Sequence, residues 1–360
     1  MEDFNRRHRR RRKLSKRQIK IKKMKRFKRR LRRLTGLALA IAALFTLVFL
    51  MPTYIKNKKQ ASASLVSDEK ANLTQTISQN VVPDKEKTDK RMTRPKTSSS
   101  YKDATADSAI RVKNAVVLDL EKNELIAGKA SDEKMYPASM TKVMTLLVAV
   151  ENIKDLNASY TFDRVMLNDL YLQNASVAGF LPDETVPMSD LLYGMIMPSG
   201  ADAAQALSKV IAGSEEAYVD LMNKKVEQMG LTKTHFKNTT GLHDEDQYTT
   251  ATEMAMIMKA AMENPLSAEV LSKFQYNTTH TEQHPDGINL TSTMFSEMYG
   301  TEVEGVVITA GKTGFTSQAG SCLVSYANKG DRHFICVTAG GGSKWHCVFD
   351  SFTLYRNYLP

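Results

Sequence analysis

Residues 136–150 read YPASMTKVMTLLVAV. A proline, a serine and a threonine stand just ahead of an apolar run with helical spacing (Val143, Leu146, Leu147, Val150), which is ordinary helix-start chemistry. The same letters place Lys142 three positions after Ser139, on one face of that helix, within reach of the serine hydroxyl. A lone Ser-x-x-Lys arises often by chance. Whether Ser139 is a nucleophile with its own base is therefore decided by what surrounds it.

Working outward, AVVLDL (115–120) and ELIAGK (124–129) are two short runs rich in Val, Ile and Leu. With only Glu121-Lys122-Asn123 between them they predict an antiparallel hairpin. Residues 155–265 carry a mostly helical period, broken at Pro182, Pro187, Pro198 and Gly230. The period then returns to strand in VVITAGKTGF (306–315), SCLVSYANKG (321–330) and RHFICVTAGG (332–341), before a last helical segment at 344–359. This order predicts one sheet assembled from both ends of a domain, with a helical insertion between them.

The 360 residues carry a net charge of +11, unevenly placed. Residues 1–33 hold 19 Lys and Arg against Glu2 and Asp3, more than the whole excess, so the remainder is net acidic. Leu34 to Met51 follows as 18 residues without a charge, long enough to span a bilayer at about 1.5 Å per residue. The basic run before it orients the N-terminus to the cytoplasm and everything after Pro52 outward. That reading makes the tail a topogenic, lipid-facing segment rather than a nucleic-acid arm. A cleaved signal peptide is the competing reading, but Ala61-Ser62-Ala63 lies about ten residues beyond the apolar run, too far for a comfortable cleavage site.

Residues 52–107 are rich in Lys, Ser, Thr, Asp and Gln without period, which predicts a flexible linker. The expected organisation is a basic cytoplasmic tail (1–33), a transmembrane helix (34–51), an extracytoplasmic linker (52–107) and a folded domain (108–360). Cys322, Cys336 and Cys347 are odd in number and form no Cys-x-x-Cys, so they read as small buried hydrophobes rather than a disulfide or zinc framework.

Two further stretches bear on Ser139. MPSGADAA (197–204) sets Ser199 after a proline kink at a helix start, and AGKTGFTSQAGSCL (310–323) sets Lys312-Thr313-Gly314 on a strand. Ser-x-x-Lys, Ser-x-Asn and Lys-Thr-Gly in that order are the signature of penicillin-binding proteins and class A β-lactamases. Together with LLYGMIMPSGADAA and FKNTTGLHDEDQYTTATEMA, these segments resemble the serine D-alanyl-D-alanine carboxypeptidases over about residues 109–356.

The resemblance implies an α+β fold of the β-lactamase/transpeptidase type, an antiparallel sheet flanked by helices with a helical subdomain. It implies a hydrolase that forms an acyl-enzyme on Ser139, with neither metal nor cofactor. The substrate would be a peptidoglycan stem peptide ending in D-Ala-D-Ala, and β-lactams would be covalent inhibitors. Lys142 would be the base, its pKa lowered by burial, the helix N-terminus and the cation at Lys312. Ser199 would relay a proton to the leaving amine. Lys312 and Thr313 would hold the substrate carboxylate, Gly314 would leave room for the peptide along the strand edge, and Phe315 would share the oxyanion hole with Ser139. The expected location is the outer side of a bacterial cell membrane, held by the N-terminal helix, with no nucleic-acid partner.

One position departs from the pattern. Ala201 stands where the second motif has Asn, so a side-chain amide is missing, and neither Asp202 nor Gln205 is assigned to replace it. A β-lactamase and a catalytically weak or silent penicillin-binding module stay open as alternatives, although no Glu-x-x-Leu-Asn stretch of the class A type is present. His280 and His284 lie four apart but in a stretch with helix-breaking residues, which predicts a solvated loop. His235, His243 and Asp244 could be proposed as zinc ligands, a site that the serine motifs leave without a task.

Overall fold

The structure, a computed structural model, describes residues 91–298 and 303–360. The basic tail, the expected span at 34–51 and the linker up to residue 90 lie outside the described residues. Among the described residues, no helix is long and apolar enough to cross a membrane.

In chain order the elements are β1 (Lys96–Asp103), β2 (Asn114–Asp119), β3 (Glu124–Lys129), α1 (Thr141–Asn152), β4 (Ser159–Thr161), α2 (Arg164–Leu172), β5 (Thr185–Pro187), α3 (Met188–Ile196), α4 (Ala201–Ala212) and α5 (Glu215–Met229). They continue with α6 (Ala251–Glu263), α7 (Pro265–Ser272), β6 (Gln275–Asn277), β7 (Asn289–Thr291), α8 (Thr293–Met298), β8 (Val307–Thr316), β9 (Gly320–Lys329), β10 (Arg332–Gly341) and α9 (Lys344–Tyr358).

The main sheet has the order β1-β3-β2-β10-β9-β8, so strands from the two ends of the domain meet at β2 and β10 as the sequence period predicted. Those two pair antiparallel, with Val117 opposite Cys336. Their side chains alternate between two cores, as strand geometry dictates. Val116 and Leu118 face the helical block with Ile335 and Val337. Val117, Phe334 and Cys336 face the opposite layer, where α9 contributes Val348, Phe352 and Tyr355. Being covered on both faces explains why NAVVLD is buried at every position.

The helix α1 is buried from Thr141 to Ala149. A helix apolar on every side belongs inside a block of other helices, and this one holds the first motif firmly in place. All three cysteines are free and buried. A strut joins the two ends of the domain: the fully buried Asp350 carboxylate accepts from the backbone N–H groups of Arg111 and Val112 and from the Arg111 guanidinium.

Two expectations need correction. The sheet is mixed, because β1 runs parallel to β3, with Thr97 opposite Leu125 and Asp103 opposite Gly128. The linker also stops earlier than 107, since residues 96–103 form that edge strand. KTSSSYKD hides the strand from a hydrophobic reading: it is a mostly exposed edge, and lysines on an edge discourage further pairing. Its anchor is Tyr101, packed on the core so closely that a Cβ on Gly128 would lie 2.5 Å from its hydroxyl.

Candidate active site

Ser139 sits in a single 3₁₀ turn, Ala138–Met140, that runs straight into α1. The turn is tightly braced. Ala138 has φ +47, which non-glycine residues seldom adopt. A Cβ on Gly241 would lie 2.1 Å from the Ala138 carbonyl oxygen, and one on Gly314 would lie 2.8 Å from the Ser139 nitrogen. Both positions require glycine because other backbone presses against the nucleophile's own peptide.

Lys142 Nζ lies 3.2 Å from Ser139 Oγ and 2.5 Å from the Thr240 carbonyl oxygen. Burial pulls its pKa down to about 7, against the opposing pull of the Asp202 and Glu215 carboxylates. Glu215 also accepts from the Thr239 N–H and hydroxyl, which fixes the loop that presents the Thr240 carbonyl.

The second pair forms over a sequence distance of 113 residues. Lys312 Nζ donates to Ser199 Oγ at 2.9 Å and to the Thr313 carbonyl at 2.8 Å. Burial, and then the charge of Lys142, holds Lys312 well below the usual lysine range. Ser199 has φ +67 in the bend between α3 and α4, a strained conformation that aims its hydroxyl at Lys312. Two serine–lysine pairs therefore share one buried site.

A cavity of about 450 Å³ opens over them, lined among others by Ser139, Ser199, Thr313, Gly314 and Phe315. Lys142 and Lys312 are 2% and 1% exposed, so the hydroxyls, not the ammonium groups, form the visible surface. Thr313 Oγ1 is joined by Thr293 Oγ1 at 2.7 Å, and Glu297, one turn further along α8, also lines the cavity beside Lys344. Phe315 is 68% exposed and also lines the cavity.

All seven sequence-predicted residues thus come together. Sequence reasoning missed the Thr240 carbonyl, Gly241, Thr293 and Glu297. The first two lie within the FKNTTGL segment, whose two threonines and glycine were the available signal; a backbone carbonyl carries no side-chain signature.

Ala201 is 2% exposed in the first turn of α4. The neighbours considered as replacements are committed elsewhere. Asp202 accepts from the N–H groups of Ala178, Gly179 and Ala203, and Gln205 donates to Glu215.

Among the described residues, no group of three His, Cys, Asp or Glu is placed to hold a metal. His235 Nδ1 contacts the Asp246 carbonyl, and His243 packs edge-on against Tyr136. The 280–284 stretch is non-helical as expected, but His284 is a strut, its Nδ1 2.9 Å from the buried Glu184 carboxylate.

The chain is similar to D-alanyl-D-alanine carboxypeptidase DacF of Bacillus subtilis, at 34% identity over 245 residues, 66% of this chain and 60% of that protein. It is also similar to DacC of Escherichia coli, at 31% over 238 residues, 62% and 55%. It therefore spans less than two thirds of the length of these relatives. Among solved structures, a mutant of a Streptomyces DD-transpeptidase superposes with TM-score 0.64 at 25% identity, covering 69% of this chain and 97% of that one. The carboxypeptidase DacD of Francisella tularensis superposes with TM-score 0.59 at 25% identity, covering 70% and 71%. Residues 100–343, which hold both serine–lysine pairs, match the D-alanyl-D-alanine carboxypeptidase (peptidase S11) family, and the chain belongs to it.

Proposed function

We propose that this protein is a membrane-tethered serine D,D-carboxypeptidase that removes the terminal D-alanine from peptidoglycan stem peptides on the outer side of a bacterial membrane. The observation that carries the reading is Ser139 Oγ 3.2 Å from a buried lysine whose pKa falls to about 7, beside the Lys312–Ser199 pair on the sheet edge. An amine that is neutral near pH 7 can take the serine proton, which a lysine of ordinary pKa cannot.

Ser139 Oγ attacks the carbonyl carbon of the penultimate D-alanine while Lys142 Nζ accepts its proton. The oxyanion lies against the Ser139 peptide and the β8 backbone at Gly314–Phe315, which Gly314 allows to approach closely. When the C–N bond breaks, the proton held on Lys142 passes by way of the Ser199 hydroxyl to the leaving amine, which leaves Lys142 neutral again, and D-alanine departs. Water then cleaves the Ser139 ester, Lys142 returning as base. The substrate carboxylate meets the Thr313 and Thr293 hydroxyls, with Lys312 Nζ behind them, and an incoming carboxylate favours the protonated form of that lysine. The N-terminal segment supplies the tether in this reading, supported by its charge asymmetry and uncharged run.

A second reading, a silent penicillin-binding module, is favoured by Ala201 and by the commitment of Asp202 and Gln205 to other partners. Intact mass after incubation with benzylpenicillin, alongside D-alanine release from a soluble peptide ending in D-Ala-D-Ala, separates the readings. A single adduct lost in Ser139→Ala with D-alanine released supports the carboxypeptidase. An adduct without peptide turnover supports the module, and rapid penicillin turnover would point to a β-lactamase.

A further inference from the structure

The cavity has two unlike walls. One is the outer edge of β8. The other is the loop after α2, which is pinned to the first turn of α4: the Ser176 carbonyl accepts from the Ala201 N–H at 2.7 Å, and the buried Asp202 carboxylate accepts from Ala178 and Gly179. Leu170 and Phe180 are buried at either end of the loop. It is a fixed wall rather than a lid.

Asn174 and Ser176 from this loop line the same cavity as Ser139 and Ser199. Asn174 is held at φ +52 by hydrogen bonds around it, from its own N–H to the Tyr171 carbonyl and from Ala175 N–H to the Leu170 carbonyl. The left-handed region suits Asn better than most residues. Its carboxamide is exposed and makes no hydrogen bond among the described residues, although it carries two donors and an acceptor.

A peptide extended along β8 uses the backbone groups on one side for the strand. Those on its other side point across the cavity, toward the loop. The second motif's pattern has an amide where this chain has Ala201, whose N–H is bonded to the Ser176 carbonyl of the loop. We infer that Asn174 is a substrate-binding residue, whose carboxamide takes the far-side peptide group of the acyl portion of the substrate and so replaces from the loop the amide that Ala201 lacks. The inference rests on the carboxypeptidase reading above.

The test uses the full chain with Asn174→Gly, which keeps the left-handed backbone without strain, and Asn174→Asp, which keeps the shape but removes the donors. Either variant should lower kcat/KM for D-alanine release from an N-acylated lysyl-D-Ala-D-Ala peptide by about tenfold or more, with penicillin acylation slowed in parallel. The melting temperature should not move, because the side chain bonds nothing in the folded protein. In an Ala201→Asn background the loss should shrink, since two amides would then serve one group. Asn174→Gly within about twofold of wild type, or an equal loss in both backgrounds, overturns the inference. Wild-type protein that takes the penicillin label but releases no D-alanine refutes the peptidase reading instead, and the acylation rate still reads Asn174. Absence of both reactions removes both.

Discussion

The two serine–lysine pairs do the same kind of chemistry by opposite structural means. Ser139 and Lys142 are three residues apart, and one 3₁₀ turn entering a buried helix brings them within 3.2 Å. Ser199 and Lys312 are 113 residues apart, and their contact needs the α3–α4 bend, a strained φ and the register of β8 against β9. The first pair is a local property that the fold buries. The second exists only in the folded chain. Breaking the local pair should therefore remove chemistry and leave structure, whereas breaking the distant pair should disturb both.

The largest expected effect is on the local pair. Ser139→Ala should abolish penicillin labelling and D-alanine release while changing stability by no more than about 1 kcal/mol, because Oγ has only a 3.5 Å contact to the Thr240 carbonyl besides Lys142. D-alanine release that persisted in this variant, and stopped on chelation, would move the chemistry to a metal. Ser199→Ala should come next, with a loss of roughly 10²–10⁴ in acylation if it carries the proton to the leaving group. It also takes an acceptor from the buried Lys312 ammonium, so a shift in melting temperature should accompany the loss. Ser199→Ala with wild-type acylation would show the distant pair to be structural only.

This contrast explains what the sequence disclosed. The first motif was legible because spacing on a helix is spacing in space. Lys312-Thr313-Gly314 was legible as a strand with a known signature, and the central strands β2 and β10 as continuous apolar runs. The edge strand β1 was not, because an exposed edge needs no apolar alternation and KTSSSYKD shows none. The loop wall was equally silent. Its position depends on Asp202, whose carboxylate is spent entirely on backbone N–H groups 23 and 24 residues upstream and on its neighbour. Even the direction of the Lys142 shift was foreseeable from burial, while the opposing carboxylates, Asp202 and Glu215, were not.

A smaller effect sharpens the comparison at the start of α4. Ala201→Asn restores the amide of the second motif beside Ser199. With Asn174 supplying that amide from the loop, D-alanine release and acylation should rise only a few-fold in the wild-type background and by roughly tenfold or more in Asn174→Gly, the worth of one good hydrogen bond in the transition state. A rise of about tenfold with Asn174 in place would show that nothing replaces the amide. Ala201 is 2% exposed, so the larger side chain must find room among buried neighbours, and the melting temperature is read alongside the rate. A wild-type rate equal to that of the variant, at equal stability, would show that the site has been rebuilt around alanine.

A further effect concerns protonation of the local pair, and its sign differs between rate and stability. Acylation needs neutral Lys142, so its rate should fall about tenfold per unit as pH drops below about 7 and level off above it. Folding feels the same lysine differently. Between about 7 and its ordinary value of 10.5, the unfolded chain holds a proton at Lys142 that the folded chain does not. Stability contributed through this group therefore rises with pH across that window, and below about 7 the penalty is at its full value. Lys142→Met removes the titration, so its stability relative to wild type should be greatest near pH 6 and should decline toward pH 10. Denaturant melts of both proteins at a series of pH values measure that difference directly. A difference independent of pH would mean that Lys142 keeps an ordinary pKa in the folded protein, and Ser139 would then need another base.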